Sequence, residues 1–324
     1  SPFDYMSQRV SLDTGMVLRI DNADKVLKFL KDAGMEDCRP ESIPFHKEVL
    51  SRVHQQQVQG MDCTDEDRSF VDRGIGQLNW LVSTTHVVGA VAHSFLAGMR
   101  GDRCVPAVVD AIKHMYRWMK GARWRCLELQ PGNKSGLVVS TDSDWGGTYF
   151  LNGDVLSRSG ILVENNGFVV KAVSEKQKMT GTHYEEEPKM LSMSADMEDG
   201  YVALSSCEGE LVAAHTGTQL GLHYQYCLEE YGQSMDGPLQ VNVDAAALIA
   251  FSLNLGVGRM KHLDMRRKWV CLVRDWRMVK FIKISTKHNK ADFFSKVFGA
   301  TAYKEAQDRL NPELPEDLVK LFSK

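Results

Sequence analysis

The chain has 324 residues, 43% of them apolar and 25% charged, with Lys+Arg 39 against Asp+Glu 42 for a formal net charge of −3. That balance excludes wholesale disorder, a collagen-like repeat and a disulfide scaffold, and the length allows about two domains with a core each. Bulk charge does not announce a nucleic-acid binder, so any such surface must come from local clustering.

In chain order, residues 16–20 (MVLRI) predict a short strand. Residues 22–33 predict a helix capped by Asn22 and ended by Gly34, with Val26, Leu27 and Leu30 on one face. Pro40 and Pro44 mark an extended crossing, and the polar stretch 51–67 reads as a loop. From Gly74 to Met99 there is no Asp, Glu, Lys or Arg, a span long enough to cross a bilayer. Its Gln77, Asn79, Ser83, Thr84, Thr85, His86 and His93 favour two buried helices broken near Ser83–His86 instead. Val108, Ile112, Met115 and Met119 then place a helix over 105–120.

The period changes after that point. Strands are predicted at 136–141, 159–164 and 167–172, the last two forming a hairpin around Asn165-Asn166-Gly167. Residues 178–200 read as an acidic loop. A short strand at 202–204 feeds a helix over 208–230. A strand at 239–243, helices at 245–253 and 262–276, a strand at 279–284 and a helix starting at 290–298 complete the pattern. Hairpin strands followed by strands alternating with helices predict an α/β fold, a mixed five-stranded sheet covered by helices.

The seven cysteines are scattered, odd in number and free of any CxxC pair. They read as free thiols in a reducing compartment rather than as a zinc site. The first residues, SPFDYMSQRV, have no apolar signal core and no initiator Met, which reads as a piece of a longer protein.

Four acids fall where strands end or helices begin: Asp142 after GLVVST, Glu210 in the first turn of the long helix, Asp244 after LQVNV and Asp292 after KFIKI. Acids at the carboxyl ends of strands occupy the usual place for a site in such sheets. Carboxylates converging there repel unless a cation lies between them, and an all-oxygen ligand set suits Mg2+ or Mn2+. Two such ions can clamp the attacking and leaving oxygens of a phosphodiester. The plainer reading is that helix N-termini and turns attract Asp and Glu on their own account. Ser205 and Glu208 form a capping box that gives Glu208 a structural task, which leaves Glu210 as the candidate ligand.

These residues lie in motifs whose order resembles the C-terminal part of the Pol polyprotein of copia-type LTR retrotransposons. GMEDCRPESIP at Gly34–Pro44 resembles that family's segment after the polymerase palm, Gly76–Leu81 its "VGSLLYL" helix, and AIKHMYRWMKG at Ala111–Gly121 its "RYLKG" helix. STDSDW at Ser140–Trp145 resembles "YSDADWAG", SRSG at Ser157–Gly160 "KSTSG", and SEKQ at Ser174–Gln177 "SKKQ". VALSSCEGEL at Val202–Leu211 resembles "VALSSTEAEY", and Val243–Ala245 stands where the family has "CDN". MKHLDMR at Met260–Arg266 resembles "TKHIDIR", and ADFFSK at Ala291–Lys296 resembles "ADIFTK".

The resemblance covers about residues 16–298. It implies a mostly helical reverse-transcriptase remnant over 1–134, a ribonuclease H-like domain over 135–300 and a helical tail over 301–324. It implies two Mg2+ or Mn2+ ions on Asp142, Glu210, Asp244 and Asp292, cleavage of the RNA strand of an RNA/DNA hybrid, and an intracellular setting in a cytoplasmic particle or the nucleus, with the rest of a Pol polyprotein as a partner and no membrane. Departures point toward a relic that only binds nucleic acid. The polymerase Y-x-D-D motif is missing, TRPD has become TTHV at 84–87, the Asn after the third acid is Ala245, and residues 178–200 are inserted. His288, the one candidate for a mobile histidine near the fourth acid, reads as a solvated loop residue.

Local charge supports a polyanionic partner. Arg259–Lys290 carries eleven basic residues against Asp264 and Asp275, with Trp269 and Trp276 interleaved. Arg259, Lys261, Arg266, Arg267 and Lys268 are its candidate contacts to nucleic acid. Arg100–Lys134 is basic to a smaller degree. Backbone contacts of this kind position rather than specify, and RNA is told from DNA by its 2′-hydroxyls.

Overall fold

The computed structural model describes residues 2–148, 156–177, 203, 205–233, 235, 237–253 and 268–323. The expected loop at 178–200, most of the 202–204 strand, and Arg259, Lys261, Arg266 and Arg267 lie outside the described residues. The chain divides into two compact units, Ser1–Val138 with Leu162–Val173 and Val297–Lys324, and Val139–Ile161 with Ser174–Lys296.

The first unit holds an antiparallel sheet in the order β1 (Phe3–Tyr5), β2 (Gln8–Leu12), β3 (Leu18–Asp21), β4 (Cys126–Leu129). Only β3 is legible in the sequence, because QRVSL and CLEL are too short and polar to alternate clearly. Asp21, fully buried, takes both Nε and Nη2 of Arg9 at 3.0 and 2.7 Å, and accepts from the Ala23 amide. Asp21 therefore caps α1 (Ala23–Asp32). Asn22 holds the N-cap position as expected, but its side chain makes no capping hydrogen bond: its Nδ2 donates instead to the hydroxyls of Thr84 and Thr85.

The expected loop over 51–67 is corrected to α2 (Glu48–Val58) and the start of α3 (Asp65–Thr84). The buried stripe Val49, Leu50, Val53 begins ahead of the polar run, so the run HQQQVQ is the outer face of a helix. Thr64 and Asp67 cap α3 reciprocally. The charge-free stretch forms the end of α3 and α4 (Ala90–Ala97), broken at Thr85–His86, and α5 (Pro106–Gly121) buries Ile112, Met115, Trp118 and Met119. Among the described residues, no helix is long and apolar enough to cross a membrane. The segment 301–324 lies in this unit as α10 (Ala300–Leu310, the numbering following chain order) and α11 (Glu316–Phe322). Arg125 holds it through Asp308 at 2.8 Å and Glu313 at 3.0 Å.

The altered TTHV segment is packed and hydrogen-bonded. Buried His86 lies 3.1 Å by Nε2 from the Ala122 carbonyl and 2.8 Å by Nδ1 from Thr85 Oγ1. A carbonyl only accepts, so Nε2 carries the proton and Nδ1 accepts from Thr85. Asn311 reaches the Thr85 carbonyl from α10's far end.

The second unit contains the five-stranded sheet, apart from the outer part of its hairpin, in the order β7 (Phe168–Lys176), β6 (Arg158–Asn165), β5 (Leu137–Asp144), β8 (Leu239–Val243), β9 (Val279–Lys283). Asn166 at φ +50° and Gly167 at φ +78° make the two-residue turn between β6 and β7. β8 and β9 run parallel, from Leu239 opposite Val279 to Val243 opposite Lys283. Their connection includes α7 (Ala246–Leu253) and α8 (Trp269–Asp275), the crossover that parallel neighbours require. The long helix α6 spans Ser206–Glu230, and the last acid opens a single turn, α9 (Asp292–Ser295), where a longer helix was expected. The architecture is α/β with a mixed five-stranded sheet.

Burial pushes the His86 imidazole down to about 4, against the opposing pull of its Ala122 hydrogen bond. The unfolded chain takes up this proton near 6.5 and the folded chain only near 4, so stability is complete above pH 6.5 and falls by on the order of 2–3 kcal/mol toward pH 4. Amide exchange in α5 between pH 7 and 4.5 checks this: opening becomes easier on acidification in the wild type, and the slope flattens in His86→Gln.

Candidate metal centre

The site is built from β5 outward. β5 runs through Asp144, so Asp142 lies within the strand rather than after it, as the sequence suggested. Alternation along a strand sends neighbours to opposite faces. Thr141 and Ser143 meet α6, whereas Asp142 meets the 291–296 segment.

Helix α6 comes close because glycines face the sheet. A Cβ at Gly217 would lie 2.4 Å from Thr141 Cγ2, one at Gly221 2.5 Å from Val139 Cγ2, and one at Gly209 2.7 Å from Ser143 Oγ. Ser205 caps the helix by accepting from the Glu208 amide at 3.2 Å. Glu210, one position beyond Gly209, then reaches the strand end, where its Oε1 accepts from the Ser143 amide at 3.2 Å. Gln177 ties the same corner: its Nε2 lies 2.8 Å from the Gly209 carbonyl, 3.1 Å from Ser143 Oγ and 3.2 Å from Ser159 Oγ. That explains the buried glutamine of the SEKQ motif, which composition alone leaves unremarkable.

On the other face, Gly160 of β6 admits the last segment. A Cβ there would lie 2.4 Å from the Ala291 carbonyl and 2.7 Å from the Ser295 amide. Asn289, buried beside the exposed His288, donates to the Thr141 carbonyl at 2.9 Å and fixes the approach to α9. Ser295 Oγ donates to Asp142 Oδ2. Lys296 Nζ pairs with Asp292 Oδ1 and lies 3.4 Å from Asp142 Oδ2. Gln177, Asn289, Ser295 and Lys296 were all missed as site residues.

Asp142, Glu210 and Asp244 each bring a carboxylate oxygen within 4.8 Å of the others. Asp142 is 2% and Glu210 8% exposed, while Asp244, at the end of β8, is half-buried. Asp292 is not in that group; Lys296 joins it to Asp142. Glu208, nearly fully buried, is also outside it. Glu210 Oε2 has no hydrogen-bond partner among the described residues.

The electrostatics fit a missing positive charge. Burial first, then Asp142 and Asp244, pushes the Glu210 carboxyl up to about 9. Burial also raises Asp142, to about 6, with Lys296 and Ser295 pulling the other way. Burial works against the Lys296 ammonium, but Asp142 and Asp292 outweigh it and hold its proton above the usual lysine range. An unpartnered buried carboxylate oxygen, two more carboxylates in reach and no competing soft ligand make a group that can hold a hard divalent cation.

Of the basic candidates, Lys268 is half-buried next to α8. Lys280 and Lys283 of β9 and Lys287 of the following loop are exposed, whereas Lys290 is half-buried. Lys283 Nζ donates to the Asp244 carbonyl, and the Trp145 ring is half exposed with its Nε1 donating to the Ala203 carbonyl at 2.8 Å.

No protein-family model matches the chain. Over 193 residues it is 28% identical to the retrovirus-related Pol polyprotein from transposon TNT 1-94 of Nicotiana tabacum, a match that takes in 58% of this chain and 12% of that relative. The chain spans about an eighth of that relative's length.

Two carboxyls with raised values have a definite sign. The unfolded chain loses these protons near 4 and the folded, cation-free chain only near 6 and 9, so stability falls as pH rises across that range. A divalent cation cancels the loss, because it binds the deprotonated carboxylates. Thermal melts in chelator and in Mn2+ are therefore expected to diverge with pH, the cation's gain being small at pH 5 and large at pH 8. Glu210→Gln is expected to melt higher than wild type in chelator at pH 8 and to lose most of the cation's gain.

Proposed function

We propose that this protein is a metal-dependent nuclease of ribonuclease H type that hydrolyses the RNA strand of RNA/DNA hybrids. The observation that carries the reading is the convergence of Asp142, Glu210 and Asp244, two of them buried, on one point at the ends of adjacent strands. The order of the elements, a hairpin followed by strands alternating with helices in a mixed sheet, is compatible with a ribonuclease H-like fold. The similarity to a transposon Pol polyprotein supports a retroelement setting.

Asp142, Glu210 and Asp244, with Asp292 at the rim, would hold Mg2+ or Mn2+. Two such ions, when bound, activate a water and stabilise the leaving 3′-oxygen of a phosphodiester. The chain's own part is to position these groups. The Ser143 amide fixes one oxygen of Glu210 and leaves the other open. Ser295 fixes the rotamer of Asp142. Gly209, Gly217 and Gly221 set the depth of α6 and hence of Glu210.

Exposed Lys280, Lys283 and Lys287, with Arg259, Lys261, Arg266, Arg267 and Lys268 preceding them in sequence, supply the charge to hold a phosphate backbone. Such contacts carry no sequence preference.

The test is cleavage of an end-labelled RNA/DNA hybrid in Mg2+ or Mn2+. The RNA strand is expected to be cut, and Asp142→Asn and Asp244→Asn to lose on the order of a thousandfold in rate while still folded. Intact hybrid binding with no cutting in the wild type would overturn the nuclease reading and leave a binding relic.

A further inference from the structure

The fourth acid behaves differently from the other three. Asp292 is spatially close to the centre but is not among the carboxylates that share it, and its Oδ1 pairs with Lys296, four residues on along the same turn. The same ammonium lies 3.4 Å from Asp142 Oδ2, the oxygen that also accepts from Ser295. Lys296 thus occupies the gap between Asp142 and Asp292, where a positive charge is needed if both are to ionise. Its side chain remains 38% exposed, so the four-carbon stem can swing to solvent without moving the backbone. Asp142 is only 3% and Asp292 20% exposed, so the ammonium leaves readily only when a second cation takes its place between them.

We propose, resting on the metal-centre reading above, that Lys296 is a built-in counter-cation that closes the Asp142–Asp292 side of the centre, so that the protein without nucleic acid takes one divalent ion at Asp142, Glu210 and Asp244 and holds the second position shut. Lys296 is then a positioning residue: it sets how many ions the centre accepts, and contributes no ligand itself. The arrangement keeps the half-exposed rim neutral before substrate arrives, at the cost of a competition that a second ion must win.

The test is Mn2+ binding to the full chain without nucleic acid, followed by the paramagnetic resonance of free Mn2+ and by calorimetry. Wild type is expected to bind about one ion, and Lys296→Met and Lys296→Gln about two, with the second lost again in Lys296→Met/Asp292→Asn. The pair of replacements guards against one variant failing to fold, and the double variant separates a freed Asp292 from a general gain in negative charge. Two ions on the wild type, or one on both Lys296 variants, would overturn the role of Lys296 while leaving the metal centre standing. No ion on any variant would overturn the metal centre, and the role of Lys296 with it.

Discussion

Three carboxylates held within 4.8 Å of one another, two of them nearly out of water, are a constraint the second unit satisfies only by paying in protonation or by accepting a cation. Like charges at that separation in a low-dielectric setting cannot all ionise unaided. The chain alone answers with Lys296 and Ser295 at Asp142 and with a single amide at Glu210. That answer is incomplete, as the bare Glu210 Oε2 shows. Packing that could have relieved the repulsion by separating the acids instead enforces it.

The enforcement comes from close approach. Glycines at 209, 217 and 221 let α6 sink onto β5, and Gly160 lets the 291–295 backbone lie on β6. Each removes a methyl group where a larger residue would push a ligand-bearing element away. Ser143 and Gly209 form a matched pair. A Cβ at 209 would lie 2.7 Å from the Ser143 hydroxyl, so the serine fits only opposite a residue that has none. Paired compensation of this kind is what a packed interior demands. The same holds in the first unit, where TTHV forms a connected chain from Asn22 through Thr85 and His86 to Ala122.

Much of this was legible in the residues. The Asn166-Gly167 turn, the LQVNV strand and the helix beginning just after Ser205 follow from turn chemistry, alternation and capping. β1, β2 and β4 were not, since FDY, QRVSL and CLEL show no clear apolar alternation, and the partner of β4 lies more than a hundred residues away along the chain. α2 was hidden by its polar outer face. Asp142, Glu210 and Asp244 could be picked out as strand-end or helix-start acids, and the capping pattern at Ser205 set Glu208 apart from Glu210; the packing likewise leaves Glu208 outside the group. Lys296, Ser295, Asn289 and Gln177 act through contacts across 18 to 154 residues of sequence or through a single turn, and their residue types are common enough that spacing carries no signal.

If the acids converge because they share a cation, that ion must be found between them. Diffraction from crystals of the wild-type protein soaked in Mn2+, recorded for anomalous scattering, tests it most directly. An anomalous peak is expected within ligand distance of Asp142, Glu210 and Asp244, with Glu210 Oε2 among its contacts. Density with no peak there, and those three carboxyls hydrogen-bonded to one another through retained protons, would contradict it.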